Sequence, residues 1–273
     1  MLPKYLALVL ANGLLSYGLI QLLHGRLGVN TITAKLLAEG ILFAANFVIQ
    51  RDFVFTQRKP PGIVTDWDSY YTSTPRTATL TRRYTAKVLL SAIKRHSVRT
   101  DPDSALSILE IGGANSCFAN RLLAETSCYR YDVVDTNRLG LELLHRRFSN
   151  CAIMHLHERS VFGLTLPHAA DVVFSIGLVE HFDVERTHQA VLAHFDVLRP
   201  GGTAIITFPT PTLLYRITRG LIETLGMWKF PDERPLQPPE VIAAIRERAD
   251  ILSQKTLWPL ILTQHMVVAR KRA

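Results

Sequence analysis

The stretch from Ala105 to Phe208 constrains the fold more than any other part of the chain, because short apolar runs alternate there with helical patterns. In order these are LSILEI at 106–111, a helix through Phe118 and Leu122, YDVVD at 131–135, a helix from Leu139 to Phe148, CAIMHL at 151–156, DVVFSI at 171–176, a helix around 187–198, and TAIITF at 203–208. This alternation predicts an α/β fold built on a doubly wound parallel sheet with helices on both faces. Ligands of such sheets bind outside the carboxyl ends of the strands, so the candidate site residues are sought there.

After the first strand, Glu110-Ile111-Gly112-Gly113-Ala114-Asn115-Ser116 places an acid before a glycine turn that opens a helix. The second strand ends on Asp135, 25 positions after Glu110, where a carboxylate can accept both hydroxyls of a ribose. These features admit a nicotinamide dinucleotide or a nucleoside sulfonium. A pyrophosphate needs glycine backbone close around it, yet Ala114 and Ser116 occupy the second and third customary glycine positions, which crowds the dinucleotide. S-adenosylmethionine carries an ammonium and a carboxylate instead of a phosphate; Glu110 attracts the first and turn amides satisfy the second.

The segments ILEIGGANSCF, YDVVD, ADVVFSIGLVEHF and LRPGGTAIITFP resemble, in order and spacing, the successive motifs of class I S-adenosylmethionine-dependent methyltransferases, over about residues 65–270. The resemblance implies a Rossmann-like seven-stranded sheet ending in an antiparallel hairpin near Leu257 to Arg270. It also implies a donor site in which Glu110, Gly112, Gly113 and Ala114 line the methionine side and Asp135 with Thr136 takes the ribose. Ser175, Ile176 and Gly177 then follow the fourth strand beside the donor. The adenine site falls in HLHERSVF, among His157, Glu158 and Ser160, with Glu158 the choice.

Methyl transfer is an in-line displacement that alignment alone can accelerate, so a base is needed only for some acceptors. For a hydroxyl acceptor, His181 is the candidate, since it follows the fourth strand and has a suitable intrinsic pKa. Tyr70 and Tyr71 of the lead-in segment are candidate covers for donor or acceptor. Tyr215 belongs to an insertion after the fifth strand whose Leu214, Ile217, Leu221 and Leu225 form one helical stripe. No metal is expected: Ile176-Gly177-Leu178-Val179 stands where metal-assisted relatives carry acids, and His155 and His157 share a strand face without a third ligand.

Composition sets the remaining bounds. At 273 residues, 48% hydrophobic and 20% charged, the chain is no disordered polymer. Cys117, Cys128 and Cys151 make no CxxC pair, against a disulfide scaffold or a zinc ribbon. Net charge is +8, and residues 51–100 carry +7 of it. No nucleic-acid recognition motif accompanies that cluster, which suits an anionic membrane surface better.

Leu6 to Leu23 runs for 18 positions without a charge, and Thr31 to Gln50 is a second apolar stretch holding Lys35 and Glu39. Together they predict a two-helix transmembrane hairpin whose flanking Lys4, Arg51, Arg58 and Lys59 place both ends in the cytoplasm. The segment AKLLAEGILFAANFVIQRDFVFTQRK is similar to the last helix and basic exit of GtrA-like membrane proteins, a family associated with moving or assembling polyprenol-linked sugars. Only a two-helix half is present, implying an anchor or pairing with another copy, that is, a homo-oligomer through these helices.

The division expected is 1–59 for the membrane segment, 60–104 for a basic linker and lead-in helix, and 105–273 for the donor-binding domain. The whole reads as a membrane-tethered, multi-pass methyltransferase with its catalytic domain in the cytoplasm, acting on a small-molecule or lipid-linked acceptor, with no nucleic-acid partner. A noncatalytic membrane assembly protein with a degenerate nucleotide-like domain is the rival, and an NAD-dependent dehydrogenase the third reading.

Overall fold

A computed structural model of the chain describes residues 2–49, 64–72, 78–98, 104–224, 226, 228–258 and 262–273. It divides into two compact units, Met1–Ile63 with Arg216–Trp228, and Val64–Tyr215 with Lys229–Ala273. The larger unit holds seven strands: β1 (Leu106–Ile111), β2 (Cys128–Asp135), β3 (Met154–Glu158), β4 (Ala170–Ile176), β5 (Leu198–Pro209), β6 (Ala249–Leu257) and β7 (Gln264–Lys271). They form one sheet in the order β3-β2-β1-β4-β5-β7-β6. The first five are parallel, while β7 runs antiparallel to both β5 and β6.

The centres of the middle strands are buried from both sides, which is why they read as short apolar runs rather than alternating ones. Leu109 and Ile111 of β1 join a core with Ala190, Val191 and Phe195 of one helix (Val184–Asp196) and Val241 and Ile245 of another (Pro238–Arg248). Leu106 and Ile108 point the other way, into a core with Leu89 and Ile93 of the helix Ala78–His96, Leu122 of Ala119–Glu125 and Leu144 of Arg138–Arg147. In chain order the helices of the whole molecule are α1 (Leu2–Gln21), α2 (Thr31–Ile49), α3 (Trp67–Thr72), α4 (Ala78–His96), α5 (Ala119–Glu125), α6 (Arg138–Arg147), α7 (Val184–Asp196), α8 (Leu213–Thr224) and α9 (Pro238–Arg248). Local chemistry fixes their starts: Asn137 caps α6 by accepting from Gly140 N at 2.7 Å, and Asp183 caps α7 by accepting from Arg186 N at 2.8 Å.

The order in which strands are added to the sheet reverses between β1 and β4, which lie side by side and parallel although β2 and β3 intervene in sequence. The crevice at their carboxyl ends is the switch point where this architecture accommodates ligands. Two glycines with left-handed backbone flank it, Gly112 after β1 (φ +75°) and Gly177 after β4 (φ +74°).

Away from the crevice, β2 carries a buried ion network. Asp132 is only 2% exposed, and its carboxylate accepts from Arg130 Nε at 2.8 Å, pairs with His157 Nε2 at 2.7 Å and with His168 Nε2 at 3.0 Å. Burial alone would raise the Asp132 pKa, but bonds to His157, Arg130 and His168 outweigh it and hold the carboxyl near 2. A carboxylate depressed in the folded state adds stability above its unfolded pKa and loses it as pH falls toward 2. His157 is thereby committed to structure.

The smaller unit contains α1, a π-helical turn at Leu22–Arg26, α2 and most of α8. The expectation of a two-helix, multi-pass membrane protein with its ends in the cytoplasm is corrected here. Among the described residues no helix is long and apolar enough to cross a membrane. The physical reason is visible in the pattern: Asn12, Ser16 and Gln21 interrupt α1, and Lys35 and Glu39 stand in mid-α2, 4.0 Å apart with side chains 65% and 60% exposed. Charged groups at the centre of a span each cost about 2.5–3.5 kcal/mol. The GtrA-like, membrane-tethered reading falls with the hairpin. The basic segment from Arg51 to Lys59 lies outside the described residues.

Candidate functional site

The glycine turn is stitched to the ends of both neighbouring strands. Gly112 N donates to Val134 O at 2.8 Å, and Ala114 N donates to Asp135 Oδ2 at 2.9 Å. Asp135 Oδ1 accepts from Asn137 N at 2.8 Å, so one carboxylate fixes the turn after β1 and the entry to α6 together. Its pKa is raised, burial outweighing these amide bonds. Ala114 and Asn137, with the Thr136 backbone beside them, use up to three of the roughly four lone-pair positions of an ionised carboxylate and leave acceptor capacity for a ligand.

Glu110 stands behind the turn. It is 3% exposed; Oε1 accepts from Ser116 Oγ at 3.0 Å and Oε2 from Tyr131 OH at 2.7 Å. Burial pushes its pKa up to about 7 against the pull of those two donors. Glu110, predicted from sequence to meet an ammonium, therefore has each oxygen engaged by the protein and shapes the turn from below. Gly113 admits that arrangement: a Cβ there would lie 2.5 Å from Glu110 Cγ and 3.0 Å from Val133 Cγ1.

Between the ends of β1, β2 and β4 lies a cavity of about 100 Å³. Gly112, Asp135 and Thr136 form one wall; Ser160, Val161 and Phe162 after β3 form a second; Leu178 and Phe182 after β4 form the third. The polar wall offers acceptors to a sugar, and the other two offer apolar faces to a flat ring. A Cβ on Gly112 would lie 3.0 Å from Leu178 Cδ1, so the close approach of the two turns across the crevice depends on glycine.

The remaining sequence candidates divide clearly. Glu158 ends β3 in register with Asp135, exposed and outside the cavity wall, which the next residues, Arg159 to Phe162, supply. Ser175 is fully buried, its Oγ 2.9 Å from His194 Nε2 beneath β4. Ile176 packs against the core, and Gly177 makes the turn. Tyr215, at 2% exposure, turns its hydroxyl inward to Glu233.

Tyr70 and Tyr71 lie on α3, which is pinned to the same turn: Asn137 Nδ2 donates to Asp68 Oδ1 at 2.7 Å, and a Cβ on Gly140 would lie 2.9 Å from Tyr71 Cδ2. The Tyr71 hydroxyl titrates far above its usual range, first through burial and then through Asp135. Trp67 packs edge-on to Tyr70 (centroids 5.8 Å apart), stacks on Tyr71 (6.0 Å) and reaches Phe230 (6.0 Å). It also meets the imidazole of His181 at 5.0 Å, edge to face.

His181 closes the short 3₁₀ turn Val179–His181 after β4. Its Nδ1 lies 3.3 Å from Asp232 Oδ2, close enough for charge pairing without hydrogen-bond alignment. Thr65 Oγ1 donates to the other oxygen of Asp232. Burial would lower the imidazole pKa, but Asp232, Glu180 and Glu233 together raise it. Trp67, Phe230, Asp232 and Phe162 are site residues that pattern reading missed.

Residues 109–206 match the protein family described as "Methyltransferase domain". No curated protein matches the chain. Among solved structures, the chain is similar to the N-methyltransferase NodS from Bradyrhizobium japonicum WM9 in complex with S-adenosyl-l-homocysteine, at 15% identity and TM-score 0.53, over 70% of this chain and 87% of that one. It is also similar to magnesium protoporphyrin IX methyltransferase from Synechocystis PCC 6803, at 10% identity and TM-score 0.57, over 71% and 84%. A possible exported protein from Bordetella parapertussis aligns over 96% of this chain and 97% of its own, at 16% identity and TM-score 0.56. At such identities these likenesses concern the fold, whereas the family match spans the strands and turns that build the crevice. With that match seated on this sheet order, the chain carries a methyltransferase domain with the fold of class I S-adenosylmethionine-dependent enzymes.

Proposed function

We propose that the nucleoside of S-adenosylmethionine occupies the cavity beside Gly112, with its ribose on Asp135 and its adenine between Val161–Phe162 and Leu178–Phe182. The observation that carries this reading is the Asp135 carboxylate, held at the cavity wall by Ala114 N and Asn137 N with acceptor capacity to spare. Gly112 and Thr136 lie beside it; Glu110, Gly113 and Ala114 set the path of the turn from beneath. When bound, the donor supplies the electrophilic methyl group, and the chain's part is to align it and handle the acceptor's proton.

The acceptor is a small molecule that meets the methyl group on the side of Trp67, Tyr70 and His181. The lipid-linked alternative rested on the GtrA-like segment and membrane tethering, and no membrane-spanning helix among the described residues supports it. His181 receives the acceptor's proton, and Asp232, 3.3 Å from its Nδ1, pairs with the imidazolium that forms. Tyr71 covers the entrance to the cavity.

A pH profile tests the role of His181. Because neighbouring carboxylates raise its pKa, the basic form accumulates only above 6.5, and kcat/KM is expected to climb with pH through an inflection above that value. Asp232→Asn removes one of those carboxylates, so the inflection shifts toward lower pH. A profile flat across this range, or unmoved in Asp232→Asn, removes His181 from the proton transfer.

A further inference from the structure

One polar group beside the reaction site is left without a use by the account so far. Glu180 is 2% exposed, and its Oε2 is buried with no hydrogen-bond partner. A buried oxygen in that condition is destabilising, and native structures keep few of them without a reason. The rest of the turn does not relieve it: Glu180 lies within electrostatic reach of His181, Glu233 and Asp232, so three carboxyl groups share one imidazole. Asp232 is matched by Thr65 and His181, and Glu233 by Tyr215. Burial pushes the Glu180 carboxyl up to about 8, with His181 opposing that rise and Glu233 and Asp232 adding to it.

The apolar side of the same turn is aromatic. Tyr70 and Phe230 pack at 5.1 Å between centroids, and Trp67 touches both within 6.0 Å. Ring faces attract cations, and desolvation strengthens the attraction. One of these rings already serves a cation of the protein itself: Arg82 lies 5.6 Å over Tyr70.

Resting on the donor site and acceptor side argued above, we propose that the acceptor is an amine, recognised as an organic cation by the Glu180 carboxyl and the rings of Trp67, Tyr70 and Phe230. An anionic acceptor would be set against the Asp232 and Glu233 carboxyls and would leave Glu180 nothing to ionise against, and a hydroxyl would gain little from the rings. The ammonium gives one proton to His181. The freed nitrogen lone pair then forms the N–C bond as the C–S bond breaks, the bonding pair stays on sulfur, and S-adenosylhomocysteine leaves with the product as a methylated ammonium. Glu180 binds the cationic form and ionises against it.

The test uses the full chain saturated with S-adenosylhomocysteine, whose binding is first established by calorimetry. Tryptophan fluorescence is then titrated with benzyltrimethylammonium, benzyl alcohol and phenylacetate. Trp67→Phe separates the Trp67 signal from Trp228 and Trp258. Saturable quenching by the ammonium is expected, at least tenfold tighter than with either other probe. Glu180→Gln, which keeps shape and neutral polarity, is expected to shrink that preference to within threefold, and Phe230→Ala to weaken it independently. The proposal is overturned if the ammonium does not bind, if phenylacetate or benzyl alcohol binds as tightly, or if Glu180→Gln leaves the preference intact. Absence of S-adenosylhomocysteine binding at the outset strikes the donor site instead.

Discussion

Asp135→Asn is expected to weaken S-adenosylmethionine binding by about ten- to a hundredfold, measured by calorimetric titration of the folded variant. The size follows from the bonds removed: a hydrogen bond to a charged acceptor contributes about 1.5–3 kcal/mol, and each 1.4 kcal/mol is a factor of ten. An amide in that position keeps one oxygen acceptor but turns an NH₂ toward Ala114 N or Asn137 N, which both need acceptors. The substitution therefore loosens the turn as well as the sugar. Acid does the same to the native protein: the Asp135 pKa is raised, so donor affinity falls as pH drops through a value above that of an ordinary aspartate. Wild-type affinity in the variant would remove Asp135 from the ribose.

Gly113→Ala is expected to cost about 3–5 kcal/mol of unfolding free energy, read from denaturant midpoints. The new Cβ would sit 2.5 Å from Glu110 Cγ, 2.6 Å from Glu110 Cδ and 3.0 Å from Val133 Cγ1, with Val133 itself fully buried. Overpacking a closed core costs about 1–3 kcal/mol. Moving Glu110 also strips Tyr131 OH and Ser116 Oγ of their acceptor, each a buried loss of about 1–3 kcal/mol. The contrasting change is Gly13→Ala on α1, where a Cβ meets nothing within 4 Å and stability is expected to move by less than about 1 kcal/mol. Equal effects at the two glycines would mean that Glu110 is not a fixed support.

Much of the fold was legible because the centres of β1, β2, β4 and β5 are buried on both faces and so appear in sequence as short apolar runs such as Ile108-Leu109, Val133-Val134, Val172-Val173-Phe174 and Ala204-Ile205-Ile206. The hairpin was less so. In β6, Ala249–Leu257, polar residues face solvent along an edge strand, and the hairpin expected from the family resemblance near Leu257 to Arg270 covers most of β7 but only the last residue of β6. At the site, Asp135 stood out because a strand ended on it. Glu158 drew attention as the acid that ends β3, but the cavity wall is made by the residues that follow, Arg159 to Phe162, of which the apolar Val161 and Phe162 carry no charge to mark them. Asp232 was invisible for another reason: it pairs with His181 from 51 positions away, in the aperiodic run FPDERP. The apolar length of the N-terminal helices misled because hydropathy over a window hides where the polar residues fall, Lys35 and Glu39 above all.

The central claim is that the cavity beside Gly112 binds an adenosyl sulfonium, and titrating the full chain with S-adenosylmethionine and, separately, NAD in a calorimeter tests it most directly. The account predicts one saturable site for the sulfonium and no heat from the dinucleotide. Saturation by NAD, or silence from S-adenosylmethionine, contradicts it.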